Sequence, residues 1–490
     1  MFQREARLAK VELLRRRGVN PYPSRFARSC TLGELRRRFA SLEPGEETES
    51  RVSVAGRVML VRLHGRLAFA TLRDESGDVQ LFMAADTLGA ERLTEITSLV
   101  DVGDWVGAEG TVMTTRRGEL SVRVEELRVL AKAIRPLPDK WHGLTDTDTR
   151  FRQRYVDLIV NPEARRIARL RSRVVAALRE YLDERGFMEV ETPVLQTVHG
   201  GANARPFVTH YNALEIDTYL RIALELPLKR LVVGGFEKVY EIGRVFRNEG
   251  LDARHNPEFT MLEVYEAFAD FEAMMVLVEG LVAHAAARSA GSTTVDYCDH
   301  HIDLSPPWER RSMYELIAER LGVDMHPSMP VTEARRTADR LDVPTEERWG
   351  AGRVIAEIFD KRVQRDLVGP VIVYGHPREV SPLAKADEHD PDVVERFEVI
   401  VAGSELANAY SELNDPVEQL IRLRHEQESR QAGDDEAGEI DHDYIRALEY
   451  GLPPTGGLGV GVDRLVMLLA GVSSIREVIL FPTLKPERHV

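Results

Sequence analysis

The sequence predicts an α+β protein in two parts, a small β-barrel followed by a larger antiparallel sheet flanked by helices. Three observations carry this prediction. Residues 52–130 read as short strand-like runs separated by glycine turns, a proline-punctuated segment follows, and the rest mixes strands and helices without the regular βαβ alternation of a doubly wound sheet. A chain of 490 residues also exceeds what one hydrophobic core normally organises.

Residues 1–50 are expected to form a basic helical arm. Residues 1–40 hold eleven Lys or Arg against three acids, on a chain whose net charge is −15. Such an arm fits a polyanion docking at one end of an acidic body, or equally a solvated helix with a basic face. From 51 to 134 the runs RVSVAGRVMLVRL, LAFATLRDESGDVQLFM, DWVGAEGTVMTT and ELSVRVEELRVL alternate as strands do, and helical periodicity appears mainly between Asp86 and Leu99. Five strands with one intervening helix describe an OB-fold barrel, a scaffold that stacks single-stranded bases on aromatics in a basic groove. Phe69 and Phe82 are the candidate platforms, the alternative being that both are core. Residues 135–150, opening with RPLPDKWH, read as a linker.

The third part, 151–490, starts with a helical stripe of Ile167, Leu170, Val174, Leu178 and Leu182 closed by Gly186. Further on, Val239 to Phe246 and Phe259 to Tyr265 flank a connection rich in turn formers, which predicts an antiparallel pair with a functional loop. Alternation places Phe259, Met261, Glu263 and Tyr265 on one side and Thr260, Leu262 and Val264 on the other. A face mixing carboxylate, phenol and aromatic ring suits a binding site better than a core, because an unpaired buried acid is costly. In GGLGVGVDR, Gly457, Gly459 and Gly461 match neither GxGxxG nor the phosphate-loop spacing. They fit a strand stripped of side chains on one face for close approach, followed by a helix from about Asp463 that carries Arg464.

With 43% hydrophobic and 30% charged residues the composition is that of an ordinary globular protein. No apolar run is seen to approach bilayer-spanning length, and MFQREARLAK lacks a signal-peptide core, so cytoplasm and no membrane contact are expected. Cys30 and Cys298 are too few for a disulfide framework or a cysteine-type metal site.

The segment FRNEGLDARHNPEFTMLEVY resembles motif 2 of the class II aminoacyl-tRNA synthetases, and in its wording the lysyl-tRNA synthetases. GFMEVETP (motif 1, about 165–193) and GLPPTGGLGVGVDRLVMLLAGVSSIREVILFP (motif 3, about 451–482) resemble the other two class motifs, with motif 2 at about 239–265. The resemblance spans nearly the whole chain. It implies a class II antiparallel catalytic sheet, a homodimer formed largely through motif 1, and ATP-dependent joining of L-lysine to tRNA(Lys) through a lysyl-adenylate.

By similarity, Arg247 bridges the α-phosphate of ATP and the substrate carboxylate, a task for a planar guanidinium. Phe259 resembles the residue stacked on adenine, Arg464 covers the opposite face and reaches the γ-phosphate, and Glu249 and His255 resemble further ATP contacts. Glu398 and Glu405 match the family's Mg2+ ligands. Glu412 and Tyr265 resemble the contacts to the ε-ammonium, Glu225 and Gly201 those to the α-amino group, with Glu263, Asn408 and Tyr410 completing the lysine site. In the barrel, Arg62, Phe69, Gln80 and Glu119 match positions that read anticodon bases.

Two places depart from the family pattern. Where the family reads RIAPELYLKRL, this chain has Leu224 for proline and Pro227 for an aromatic, on either side of Glu225. Gly438 and Glu439 replace an apolar pair, for which looser packing is expected. Two alternatives stay open at this point: a paralogue that activates a lysine analogue or serves a non-tRNA acceptor, and a catalytically silent RNA-binding derivative. Retention of Arg247, Phe259, Glu398, Glu405 and Arg464 together speaks against the second.

Overall fold

The computed structural model describes residues 2–138, 144–431 and 440–486. Part of the expected linker and the Gly438 and Glu439 pair lie outside these residues. The chain divides into two compact units, Met1–Thr145 and Asp146–Val490.

In the first unit, β1 (Glu47–His64), β2 (Leu67–Arg73), β3 (Asp78–Ala84), β4 (Trp105–Thr114) and β5 (Leu120–Ala131) close a barrel in the order β1-β2-β3-β5-β4. Strict alternation builds it: Ala68, Ala70 and Leu72 point inward from β2 to meet Val54, Leu81, Val106, Val122 and Val124, while Phe69 and Thr71 point out.

The expected arm is corrected by the structure. The barrel begins at Glu47, and the preceding residues form two helices, Phe2–Arg16 and Leu32–Arg38, packed within this unit. Leu32 and Leu35 are fully buried in the barrel core. Several of the arm's cations are counter-charges for the barrel, with Lys10 on Asp101, Arg17 on Glu95, Arg28 on Asp74 and Arg36 on Glu119. A count of charges cannot see that apolar residues between them fasten the segment down.

In the second unit, an eight-stranded sheet contains β6 (Met188–Glu189), β7 (Lys238–Phe246), β8 (Glu258–Ala267), β9 (Glu309–Ser312), β10 (Val371–Tyr374), β11 (Arg396–Val401), β12 (Ser404–Ser411) and β13 (Thr455–Gly461), in the order β9-β10-β11-β12-β13-β8-β7-β6. Its centre is antiparallel, but the pairs at both edges, β9 with β10 and β6 with β7, are parallel. One face, carrying Leu262, Val264, Leu458, Val460, Phe397 and Ala409, packs on the helices Pro162–Asp183, Phe271–Ala290 and Val462–Ala470.

The helix Phe271–Ala290 is long and apolar enough to cross a bilayer by length and composition, which overturns the reading that no run approached that length. Its Met274, Val278, Leu281, Val282 and Ala285 are buried in this core. That burial accounts for its apolarity.

Candidate active site

The other face of the sheet floors a cavity of about 580 Å3. The hairpin β7–β8 supplies its first wall. Val245 pairs with Phe259 and Glu241 with Glu263, so Phe259, Met261, Glu263 and Tyr265 face the cavity and Leu262 and Val264 the core. β13 lies beside β8, with Gly459 opposite Glu263 and Gly457 opposite Tyr265. A side chain at Gly457 would collide with the Glu412 carboxylate and would stand 2.8 Å from Tyr265 Cε1. The bare strand therefore makes room for protein groups of the site as well as for a ligand.

Every residue expected at the nucleotide, the amino acid or the metal lies on the walls of this one cavity: Arg247, Glu249, His255, Phe259 and Arg464; Gly201, Glu225, Glu263, Tyr265, Asn408, Tyr410 and Glu412; Glu398 and Glu405. Gly201 has φ +86, and a Cβ there would press on Glu225 Cβ at 3.2 Å, so glycine is required on both counts. Arg247 Nε donates to the Ile222 carbonyl at 3.3 Å, and its guanidinium lies 5.2 Å from the centre of the Phe259 ring. Burial pulls the Arg247 pKa down, opposed by Glu249, Glu405 and Glu263. Arg464 donates to the Glu405 carbonyl at 2.6 Å and stands 3.4 Å from its carboxylate.

The residues expected at the amino acid include several buried charges, Glu225, Glu263 and Glu412, with Lys229 among them. Glu225 opens the helix Glu225–Val233, and Lys229, one turn on, is fully buried. Lys229 Nζ lies 2.5 Å from Glu225 Oε1 and also pairs with Glu412 Oε2. The Tyr410 hydroxyl donates to the same Glu225 oxygen at 2.7 Å, and the Tyr265 hydroxyl to Glu263 Oε2 at 3.1 Å. Burial and the neighbouring Glu225 push the Glu263 carboxyl up to about 7. Burial also raises Glu412, with Lys229 opposing it, while Glu225 and Glu412 hold the proton on Lys229.

Both substitutions that flank Glu225 have a place here. Pro227 is the third residue of its helix, where the N–H needs no helical acceptor, so it leaves the helix intact. The Leu224 N–H donates to Glu263 Oε1 at 2.9 Å, a bond no proline can make.

Among the described residues, no three or more acidic, histidine or cysteine side chains form a ready-made metal site. The donor set nevertheless suits a hard cation that takes its remaining ligands from phosphate. Asp360, on the cavity wall, is pushed up to about 7, first by the protein packed around it and then by the negative charges of Glu398, Glu357 and Glu405. Arg396 orders this corner, donating to Asn408 at 3.0 Å and to Glu398 at 2.6 Å.

On the barrel, Arg62, Phe69, Phe82 and Arg123 are successive partners across β1, β2, β3 and β5. The Phe69 and Phe82 rings meet edge to face at 5.5 Å, and Arg123 lies 5.8 Å from the Phe82 ring centre. Gln80 and Glu119 are engaged with protein: Gln80 bonds Arg62 at 3.3 Å and Ser121 at 3.0 Å, and Glu119 pairs with Arg36 at 3.1 Å.

Lys229, Asp360, Arg396 and Arg123 escaped the sequence reading. The Glu225–Lys229 spacing of four on a helix was a usable signal for Lys229. Arg123 could have been found from its strand register beside Phe82.

An antiparallel sheet with a motif-bearing hairpin, a bare glycine strand and an arginine-bearing helix around one polar cavity is the architecture of a class II synthetase. Residues 146–485 match the tRNA synthetases class II (D, K and N), and residues 52–130 the OB-fold nucleic acid binding domain. A lysine–tRNA ligase of Trichormus variabilis is 49% identical over 99% of this chain and 88% of its own length. Those of Prochlorococcus marinus (strain MIT 9313) and Shouchella clausii are each 50% identical, over 99% and 97% of this chain and 97% and 95% of their own lengths. The chain belongs to the lysine–tRNA ligase family.

Proposed function

We propose that this chain joins L-lysine to the 3′ end of tRNA(Lys) in two steps. The lysine carboxylate attacks the α-phosphorus of ATP, the bond to the bridging oxygen breaks and pyrophosphate leaves, giving lysyl-adenylate. A hydroxyl of the terminal tRNA ribose then attacks the activated carbonyl and AMP leaves. Both reactants of the first step are anions, so the chain's main task is to bring them together.

The observation that carries this reading is the juxtaposition of three buried carboxylates, Glu225, Glu263 and Glu412, with the Arg247 guanidinium in one cavity. Glu412 and Tyr265 receive the ε-ammonium, Glu225, Glu263 and the backbone at Gly201 the α-ammonium, and Arg247 with Asn408 the carboxylate; Tyr410 holds Glu225 in place. Phe259 stacks on adenine, with Arg464, His255 and Glu249 at the rest of the nucleotide. Glu398 and Glu405 would hold Mg2+, which when bound neutralises phosphate charge.

The row Arg62, Phe69, Phe82 and Arg123 is read as the anticodon platform, with Gln80 and Glu119 at its margin. A second copy of the chain is read as packing against motif 1 and the exposed apolar groups of the segment that follows it, Leu195, Val208, Tyr211 and Leu214, which are 47–61% exposed. A cytoplasmic location away from membranes fits these partners.

Pyrophosphate exchange with lysine, ornithine, arginine and lysine analogues, followed by charging of total tRNA, tests the reading. Exchange with lysine and charging of tRNA(Lys) support it. Exchange with an analogue alone, or none, sinks it.

A further inference from the structure

The lysine pocket contains a lysine of the protein's own. We propose that Lys229 is a fixed internal cation that positions Glu225 and Glu412 and sets the charge of the pocket to match an amino acid bearing two ammonium groups. The inference rests on the pocket being the lysine site.

A fully buried ammonium is retained only where carboxylates and rings replace its water. Lys229 has such a shell: Glu225 Oε1 at 2.5 Å, Glu412 Oε2 in contact, and the Tyr410 and Tyr444 rings at 5.5 and 5.9 Å. These groups come from three separate parts of the chain, so the ammonium ties together elements that reach the pocket from different directions.

The pocket's charge count follows. Glu225, Glu263 and Glu412 would together present three negative charges to one desolvated space, more than a lysine zwitterion's two ammoniums neutralise. Lys229 reduces the three to two. Arg247 stands apart for the carboxylate. A neutral side chain of lysine's length would leave one buried charge uncompensated, and that imbalance discriminates against it.

Orientation follows from the same contacts. Lys229 forms an ion pair with one oxygen of Glu412, Oε2, and leaves Oε1 without a counter-charge; both oxygens are buried and neither accepts a hydrogen bond of good geometry among the described residues. A buried, unpaired carboxylate oxygen beside an engaged one is an acceptor held ready for a donor from outside. On Glu225, the Lys229 and Tyr410 bonds both fall on Oε1, and neither uses the second oxygen.

The test uses the full chain and its Lys229→Met variant. With Lys229 gone, one of three unbalanced carboxyls keeps a proton until a substrate ammonium displaces it. The KM for lysine in pyrophosphate exchange should rise about tenfold or more, with a smaller fall in kcat. At pH 8, calorimetry in buffers of different ionisation enthalpy should show lysine binding releasing about one proton more than in the parent chain. A folded variant with parental KM and parental proton release overturns the inference, leaving Lys229 a space-filler. A parent chain that shows no lysine-dependent exchange overturns the pocket reading itself.

Should Lys229→Met fail to fold, the pair Lys229→Met with Glu412→Gln removes one charge of each sign. The pair should fold, and because it restores two net negative charges its preference for lysine over norleucine should exceed that of Glu412→Gln alone by about tenfold or more. A pair that also fails to fold, or one no better than Glu412→Gln alone, counts against the charge-matching role.

Discussion

The backbone N–H of Leu224 donates to Oε1 of Glu263 at 2.9 Å, and both residues are buried. The family pattern has proline at this position, which has no N–H to give. A change that reads in the sequence as drift therefore adds a donor to an acid of the amino-acid pocket. Leu224→Pro should return Glu263 Oε1 to an unpaired state, at about 1–3 kcal/mol. The expected result is a raised KM for lysine whose pH dependence moves to higher pH. Measuring KM from pH 6 to 9 in both proteins checks it, and superimposable profiles would show that the amide contributes nothing to binding.

Glu263 is also expected to make lysine binding sensitive to pH near neutrality. Burial and then Glu225 raise its carboxyl from its ordinary 4.5 to about 7, against the Leu224 N–H, the Tyr265 hydroxyl and Arg247, which lower it. A raised carboxyl is protonated below that value and ionised above it, so the acceptor for an ammonium is lost as pH falls through about 7. The KM for lysine should climb toward about tenfold per pH unit below that point and level off by pH 8. In Glu263→Gln the climb should shrink to what Glu412 contributes, whose carboxyl is also raised by burial, and a variant that retained it whole would assign the titration to another group.

Where local pattern decides the structure, the sequence was readable. Alternation from Phe259 to Tyr265 separated the cavity face from the core face, and the stripe from Ile167 to Leu182 marked the long helix buried along it. What escaped reading depends on partners distant in the chain. Lys229 looks like a solvent-facing helix residue until Glu412, far along the chain, closes over it. Asp360 sits on the helix Ala351–Arg362, whose own pattern says nothing of Glu398 and Glu405. The parallel edge strands, two and four residues long, are too short to show any period. In the arm, excess charge drew attention away from Leu32 and Leu35, the residues that anchor it.

Arg247 lies on the cavity wall, its guanidinium 5.2 Å from the centre of the Phe259 ring, and it is the guanidinium expected to meet both the phosphate and the carboxylate. Arg247→Ala should lower pyrophosphate exchange by about 100- to 1,000-fold, the usual loss for one preorganised charge-stabilising donor. Binding of tRNA should change little, since the residues proposed to read the anticodon belong to the other unit. Exchange assays and filter binding on the same preparation separate the two, and equal loss of both would sink the division of labour.

For the metal, Glu405→Gln removes a negative charge beside Arg464 and one of the two expected ligands. The Mg2+ concentration giving half-maximal exchange should rise about tenfold or more, with excess Mg2+ restoring much of the rate, because phosphate oxygens supply the remaining ligands. A variant with the parental Mg2+ requirement would move the metal elsewhere.

Phe69 lies on the outer face of β2, 5.5 Å from the Phe82 ring, while its neighbours Ala68 and Ala70 are buried in the barrel. That placement answers the question the sequence left open, whether the ring belongs to the core. The ring is half-buried between Arg62 and Phe82, with His64 6.1 Å away, and a base stacked on it is worth about 1–3 kcal/mol. Phe69→Ala should weaken tRNA binding by that amount and leave the melting temperature of the barrel nearly unchanged, since no core contact is removed. A melting temperature lowered by several degrees with tRNA affinity intact would make the ring a structural prop. Because Phe82 continues the same row, Phe82→Ala should weaken binding in the same range, and the double variant should fall short of the sum if one base bridges both rings.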